Sequence, residues 1–169
     1  AAWPLAPGAM SGMAGAPGGT KYVFKLLCSD PVVGNILGSG AVLKEHWQSK
    51  TGTRIVVSHQ QEFFPGTRFR TFLVGGPSPE NLVPILQAFT ECAVRCGDQE
   101  NGEPIVRAVI PSKTASAVIG PGGCNVQAFR RVTGARISID KAAFAGHQLM
   151  RVLGPPEGLF QALRSVNEQ

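Results

Sequence analysis

The chain contains two glycine-rich stretches whose residue types could bind an anion. The better formed stretch, residues 118–123, reads Val-Ile-Gly-Pro-Gly-Gly and runs directly into a helical pattern. Glycine permits positive φ angles and lets another molecule approach the main chain closely. Backbone N–H groups at the start of a helix attract phosphate. A single loop of this kind is weak evidence of function, because any turn between two helices can use glycine.

The chain carries this pattern twice, and the two copies lie 82 positions apart. Gly38 and Gly40 in the earlier copy correspond to Gly120 and Gly122 in the later one. Other matches at this offset are Trp47 with Phe129, Thr51-Gly52 with Thr133-Gly134, and Arg54-Ile55 with Arg136-Ile137. Farther along, the offset falls to 78, because Gly76-Pro77 matches Gly154-Pro155. The pattern indicates an internal repeat whose first copy has the longer loop before its third strand.

Hydrophobic periodicity predicts the elements that position the two loops. Strands are predicted at residues 21–29, 53–58, 67–74, 104–110, 136–140 and 148–153, and residues 141–147 are predicted to form a loop. Short helices are predicted on both sides of each glycine loop, and a longer helix after each third strand. Pro84 either kinks the long helix opened by Ser78-Pro79 or marks its true start. Each copy reads β-α-α-β-β-α, which predicts an α+β fold with helices on one face of a sheet.

The repeat divides the chain into an extension and two units. Residues 1–20 are rich in Gly, Ala and Pro and are predicted to be a flexible extension. The first unit is predicted over residues 21–97, a short acidic linker over 98–103, and the second unit over 104–169. Because this linker is short, we expect the units to pack together or to hold a restricted orientation.

The composition limits the classes of function. The formal charge of +5 permits an anionic partner without requiring one. Cys92 and Cys96 lie one helical turn apart, but no nearby Cys or His completes a zinc set, so no metal or cofactor site is predicted. The histidines are scattered and no paired carboxylates stand out, so we expect no enzymatic activity and no catalytic residues. We also expect no membrane partner, since no apolar stretch is long enough to cross a bilayer and the first residues do not resemble a secretory signal.

A glycine loop between two helices, followed by Thr-Gly-x-Arg-Ile at residues 51–55 and 133–137, resembles the type I KH domain. The resemblance covers nearly everything after Lys21 as a tandem pair, and residues 62–67 are similar to a loop of the Nova and poly(C)-binding protein group. It implies two KH domains, each a three-stranded antiparallel sheet covered on one face by three helices. It also implies sequence-selective binding of single-stranded RNA, or of single-stranded DNA, at about four nucleotides per groove. The expected roles are mRNA processing, including splicing regulation, or post-transcriptional regulation, in the nucleus, the cytoplasm or both. KH–KH packing is expected within the chain or between chains.

The resemblance implies which residues line each groove. The nucleic-acid backbone would pass the glycine loop, and the bases would lie on an aliphatic floor between the helices and the second strand. In the first copy the implied residues are Val33, Gly34, Asn35, Leu37, Gly38, Ser39, Gly40, Ala41, Lys44, Arg54, Ile55, Val57 and Arg70. In the second copy they are Ala115, Ser116, Ile119, Gly120, Pro121, Gly122, Gly123, Val126, Arg130, Ile137 and Ile139.

Both loops depart from the family pattern, which commonly has Lys or Arg between the glycines. Here the variable positions are Ser39-Gly40 and Pro121-Gly122, so charge for phosphate must come from neighbouring side chains. Ala41 replaces the last glycine of the first loop. Lys44 stands at a usually aliphatic position, where it is either a phosphate contact or a sign of a degraded groove. A second function therefore stays open, a protein-interaction scaffold in which one copy, more readily the first, has lost nucleic-acid binding.

The polar positions that would read bases also differ between the copies. Arg130 matches a family position that reaches a base edge, and the first copy has Gln48 there. Arg70 matches another such position, where the second copy has Gln148. We therefore expect the two copies to prefer different bases.

Four aromatic residues have two possible roles. Trp47 and Phe129 either stack on bases or lie on the buried helix face, and their helical spacing from apolar neighbours favours burial. Phe63 and Phe64 either stack on a base or close the edge of the first unit.

Overall fold

The computed structural model describes residues 19–169, so the predicted extension at residues 1–20 lies almost wholly outside the described residues. The described part is an α+β fold in which β-α-α-β-β-α occurs twice. The helices are α1 (Asp30–Leu37), α2 (Val42–Thr51), α3 (Pro79–Arg95), α4 (Ser112–Ile119), α5 (Cys124–Thr133) and α6 (Pro156–Asn167). The strands are β1 (Tyr22–Cys28), β2 (Arg54–Val57), β3 (Arg70–Gly76), β4 (Gln99–Glu100), β5 (Glu103–Pro111), β6 (Arg136–Phe144) and β7 (His147–Leu153).

The strands of both halves form one continuous antiparallel sheet. Its order is β2-β3-β1-β5-β7-β6, with β4 paired to β5 outside this path. The halves meet where β1 pairs with β5, through Lys25–Val109, Leu26–Ala108 and Leu27–Arg107. The long helices α3 and α6 contact each other, and Asn167 Nδ2 donates a 2.8 Å hydrogen bond to the Pro79 carbonyl. The central neighbours in the sheet are therefore β1 and β5, which are the first main strand of each half. The second main strand of each half, β2 or β6, is an edge of the sheet.

The helices cover one face of this sheet because alternate strand residues on that face are apolar. Phe72 of β3 is fully buried against Phe89 of α3, with ring centroids 5.4 Å apart. Burying a side chain of this size contributes roughly 1.5–3 kcal/mol. The same cluster continues through both halves and includes Phe24, Leu26, Val74, Val106, Ala108, Met150 and Val152. Pro84 lies inside α3, which begins at Pro79, so the helix does not start at Pro84.

Two segments predicted as a loop and a linker are hairpins. Most of residues 141–147 belong to β6, which extends to Phe144 and turns at Ala145-Gly146. The φ angles of the turn are 52° and 76°, as in the two-residue turns that suit strand twist. Alanine hides this signal, because it seldom adopts positive φ. In the predicted linker, Asn101-Gly102 joins β4 to β5, and this dipeptide is itself a hairpin signal.

The other face of the sheet is partly covered by the loop between β2 and β3, which we call the strap (residues 59–69). Phe64 in the strap is 5% exposed and packs with Leu27 of β1 and Val109 of β5. Its ring also meets that of Phe144 edge-on, with centroids 6.1 Å apart. The strap therefore crosses from the first half onto the second, and Phe64 closes this face of the sheet.

Candidate functional site

The two glycine loops have the same backbone conformation although their sequences differ. Gly38 and Gly120 both have φ of 72°, and each loop continues through a glycine with φ of 62°. At the last position Ala41 has φ of 60°, where the second loop has Gly123 with φ of 78°. Left-handed backbone costs a residue with a Cβ atom about 1–2 kcal/mol, and glycine adopts it readily. The first loop thus adopts the backbone conformation of the second loop, with a strained alanine at its last position.

The glycines in each loop serve two purposes. A Cβ atom on Gly120 would lie 2.6 Å from Cγ of Asn125, whose amide donates a 3.0 Å hydrogen bond to a carbonyl of α4. A Cβ atom on Gly122 would meet nothing within 4 Å. The first loop repeats the tight position at Gly38 and the open position at Gly40. An approaching molecule therefore reaches the middle of either loop without meeting a side chain.

In the second half, the predicted groove residues lie on α4, the loop, α5 and the edge strand β6. Ile119 is 36% exposed at the end of α4. Val126 on α5 and Ile137 and Ile139 on β6 are partly exposed. Arg130 is exposed on α5. The predicted residues with exposed or partly exposed surface are Ser116, Ile119, Gly120, Pro121, Gly122, Gly123, Val126, Arg130, Ile137 and Ile139.

The corresponding surface of the first half is less exposed to solvent. Ile55 on β2 is 1% exposed, whereas the matching Ile137 is partly exposed. Lys44 is partly exposed at the position of Val126. The predicted residues that keep exposed or partly exposed surface on α1, the loop, α2, β2 and β3 are Gly34, Asn35, Leu37, Gly38, Ser39, Gly40, Ala41, Lys44, Arg54, Val57 and Arg70.

Five of the predicted groove residues are either buried beneath the groove or directed away from it. Val33, Ile55 and Ala115 are 5%, 1% and 2% exposed and belong to the core beneath the grooves. Asn35 turns toward the end of α3, where its amide nitrogen lies 3.4 Å from the sulfur of the C-cap cysteine. Arg54 precedes Ile55 on a strand, and alternation places its side chain on the opposite face. The resemblance marked these positions by spacing alone, which does not separate a groove surface from the layer under it.

Gln48 and Arg130 occupy matching positions but have different surroundings. Gln48 is 6% exposed, and its Oε1 accepts a 2.9 Å hydrogen bond from the Ile55 N–H. This bond ties α2 to the edge strand β2. Arg130 is exposed to solvent, so its guanidinium is available to a ligand.

Arg70 and Gln148 share a structural contact that the sequence did not reveal. Arg70, whose side chain is 13% exposed, donates to the Ser58 carbonyl at 2.7 and 3.2 Å and to Asp30 at 3.2 Å. Gln148 donates to the Asp140 carbonyl at 2.9 Å. Ser58 and Asp140 match at the offset of 82, and Arg70 and Gln148 at the offset of 78. Both side chains therefore hold a main-chain carbonyl at matching positions, just after β2 in the first half and within β6 in the second. Combining the two offsets aligns these four positions, and this alignment is the only signal of the contact in the sequence.

The cations of the second half are divided between structural and exposed positions. Arg136 forms a salt bridge with Glu103, and this hydrogen bond holds the pKa of the Glu103 carboxyl below its usual range. The positive charge of Arg130 adds to the effect. Lys113, Arg130 and Arg131 remain exposed on the two helices that flank the glycine loop.

The remaining sequence candidates have structural roles. Trp47 and Phe129 pack against the core, which confirms the burial interpretation.

Within residues 19–169, no group of three or more His, Cys, Asp or Glu side chains is arranged to hold a metal ion. No helix in the same range has the length and apolar character needed to cross a membrane.

Residues 105–168 match the family model of the KH domain, so the second half carries a KH domain. The chain is 26% identical over 165 residues to the human RNA-binding protein Nova-2, covering 86% of this chain and 34% of that protein. It is 26% identical over 136 residues to the RNA-binding protein Pasilla of Drosophila melanogaster, covering 73% and 17%. A shorter match, 42% identical over 59 residues, is to the human ankyrin repeat domain-containing protein 17, covering 34% and 2%. The chain thus spans about a third or less of the curated relatives it matches.

Proposed function

We propose that this chain binds single-stranded RNA sequence-selectively through two grooves, one in each half, each built as a type I KH domain. The observation that carries this proposal is the shared loop conformation. Two loops of different sequence keep positive φ at corresponding positions, and both leave the middle glycine open. The similarity to RNA-binding relatives supports the choice of ligand. A role in mRNA processing, in the nucleus or the cytoplasm, belongs to the same proposal.

Binding would use close backbone approach together with an aliphatic floor. The ribose-phosphate chain passes the open glycines, and bases lie against Ile119, Ile137 and Ile139 in the second groove, which demand no hydrogen bonds from them. Arg130 donates to a base edge, since a guanidinium can form two parallel bonds there. Neither loop carries a positive charge of its own, so flanking Lys and Arg side chains attract the phosphates. Single-stranded DNA fits the same groove, with weaker binding where a 2′-hydroxyl is contacted.

The test places two carboxylates where phosphate would pass, in Pro121→Asp with Gly122→Asp. Each unfavourable charge pair costs about 1 kcal/mol at 4 Å in water, so affinity for a random single-stranded RNA pool should fall about thirtyfold. The matched control is Pro121→Asn with Gly122→Asn, which has the same shape without charge and also tolerates positive φ. Binding is measured by fluorescence anisotropy at two salt concentrations, with circular dichroism as a check of folding.

The control variant should bind within about threefold of the native chain, and binding should weaken as salt rises. If the carboxylate variant is folded and binds RNA as well as the asparagine variant does, the groove is assigned to the wrong place. If the native chain binds no RNA at either salt concentration, the proposed function is wrong.

A second candidate function is a scaffold in which the first groove has lost RNA binding. It is favoured by the Gln48 hydrogen bond to Ile55 and by the contacts of Arg70 with Ser58 and Asp30, which occupy two side chains expected to read bases. Ser39→Asp with Gly40→Asp tests it against the matching asparagine pair. Unchanged RNA affinity in the carboxylate variant supports the scaffold, and a loss of affinity supports two working grooves.

A further inference from the structure

The two grooves lie at opposite edges of one sheet. β2 and β6 are the first and last strands in the order β2-β3-β1-β5-β7-β6. Five strand spacings of about 4.8 Å separate them, which places the grooves about 24 Å apart. The packed helices α3 and α6 lie between the two sites. RNA that joins the grooves must therefore cross the layer of helices or pass around it.

The two grooves also run in opposite directions. Every neighbouring pair along this order is antiparallel, and five antiparallel steps leave β2 antiparallel to β6. The helices of both halves lie on the same face, because one core cluster joins them. A two-fold rotation perpendicular to the sheet thus relates the grooves approximately. A strand that leaves one groove at its 3′ end then finds the start of the other groove at the same end of the molecule.

Contacts on both faces of the sheet hold this arrangement. On the helical face, Asn167 Nδ2 donates a 2.8 Å hydrogen bond to the Pro79 carbonyl. On the other face the strap buries Phe64 between strands of the two halves, and Phe69 of the strap lies under Arg107 of β5, 4.1 Å from its guanidinium carbon to the ring centroid. The strap belongs to the first half and Arg107 to the second. These contacts make the separation of the grooves a fixed property of the folded chain.

We infer that the preferred ligand is one RNA strand that turns back on itself, bound at two short segments whose spacing the strap helps to fix. This inference rests on the proposed function in both grooves. An extended nucleotide spans about twice the stacked rise of ~3.4 Å, so crossing about 24 Å requires a spacer of at least about four nucleotides. Two segments joined without a spacer cannot fill both grooves of one molecule.

The test uses RNA oligomers that carry the four-nucleotide segments selected by each groove, joined by abasic spacers of about zero, two, six and twelve units. Each segment is selected with the other loop carrying its two Asp substitutions. With spacers of about six units, affinity should exceed that of either single segment by roughly 10²-fold. Spacers of zero and two units should give no such gain. The complex should contain one protein and one RNA by light scattering.

The outcomes separate this inference from the function on which it rests. Binding of single segments with an equal gain at every spacer length, with no gain at any length, or with two proteins per RNA overturns the inference and leaves the proposed function standing. No binding of any single segment overturns the proposed function and the inference together.

The role of the strap is tested with Phe64→Ala, using Phe63→Ala on the same loop as the matched control. Loosening the strap should lower the advantage of the longer spacer over the two-unit spacer several-fold and leave single-segment affinity unchanged. Phe63→Ala should keep the native spacer profile. Phe144→Ala, at a partly exposed partner of Phe64, provides a milder variant if Phe64→Ala does not fold. A native profile in Phe144→Ala, and in Phe64→Ala where that variant folds, shows that the strap does not set the spacing.

Discussion

The first and second grooves have the same loop backbone but use matching side-chain positions differently. In the first half, Gln48 is buried and bound to the edge strand, whereas Arg130 at the matching position is exposed in the second. Ile55 is nearly inaccessible, whereas Ile137 keeps exposed surface. The second half therefore offers the more open apolar floor and the more available cation.

The repeat therefore preserves the backbone geometry of the loop more strictly than the function of its side chains. The tight glycines Gly38 and Gly120 are fixed by their neighbours, since a Cβ atom would collide with Leu43 in one case and with Asn125 in the other. The residues along the following helix have no such constraint, so one copy can use a position for stability and the other can use it for a ligand.

Substitutions at the matching helix positions Gln48 and Arg130 should have the strongest effects. Gln48→Ala leaves the buried Ile55 N–H without its partner, which should lower the free energy of unfolding by about 1–3 kcal/mol. Arg130→Gln removes a base-edge donor and should lower RNA affinity about tenfold, within the range of about 1–3 kcal/mol for such contacts. Urea denaturation measures the first effect and anisotropy the second.

As a control, each variant is also examined by the other method, with urea denaturation of Arg130→Gln and RNA binding of Gln48→Ala. Arg130→Gln should leave the urea midpoint nearly unchanged, because substitutions of exposed residues stay within about 0.5 kcal/mol. RNA affinity of the second groove should survive Gln48→Ala under conditions in which the variant is folded. If Arg130→Gln destabilises the fold as much as Gln48→Ala does, the two positions have equivalent roles and the contrast is wrong.

A smaller effect is expected at the floor position occupied by Lys44 and Val126. Lys44→Met keeps the apolar stem and removes the charge. With the second loop carrying Pro121→Asp and Gly122→Asp, so that only the first groove binds, the slope of log affinity against log salt should fall by about one. Affinity should fall about threefold at low salt. Val126→Met, measured with the first loop inactivated instead, should leave the salt slope unchanged. Tighter RNA binding by Lys44→Met would identify the first groove as degraded.

Much of the architecture follows from sequence because glycine and periodic apolar residues are strongly constrained. The repeat offset, the α+β class and both glycine loops could be predicted, since positive φ and alternating burial leave few other choices. The hairpin at Ala145-Gly146 could not, because alanine gives no sign of its positive φ. The Asn101-Gly102 hairpin carried a usable signal that the acidic composition of the segment concealed.

The site was less predictable than the fold because burial depends on tertiary packing. Val33 and Ile55 have the right types and spacing for a groove floor but lie in the core. The position of Asn35 in a helix gave no indication that it faces the end of α3. For Arg54, strand alternation was available from the sequence and indicates the opposite face from Ile55.

A still smaller effect is expected from the exchange of alanine and glycine at the last position of the loops. Ala41 has φ of 60° and Gly123 has φ of 78° at matching positions. Ala41→Gly should raise the free energy of unfolding by about 0.5–1 kcal/mol, since relief of about 1–2 kcal/mol of left-handed strain exceeds the added entropy of the unfolded chain. Gly123→Ala should lower it by a similar amount. A Cβ atom at Gly123 would meet side-chain atoms only at 3.8 and 3.9 Å, so this change measures backbone strain without collision. Both shifts should appear in the urea midpoint at constant m value. Shifts of the same sign would mean that left-handed strain at this position does not determine the stability difference.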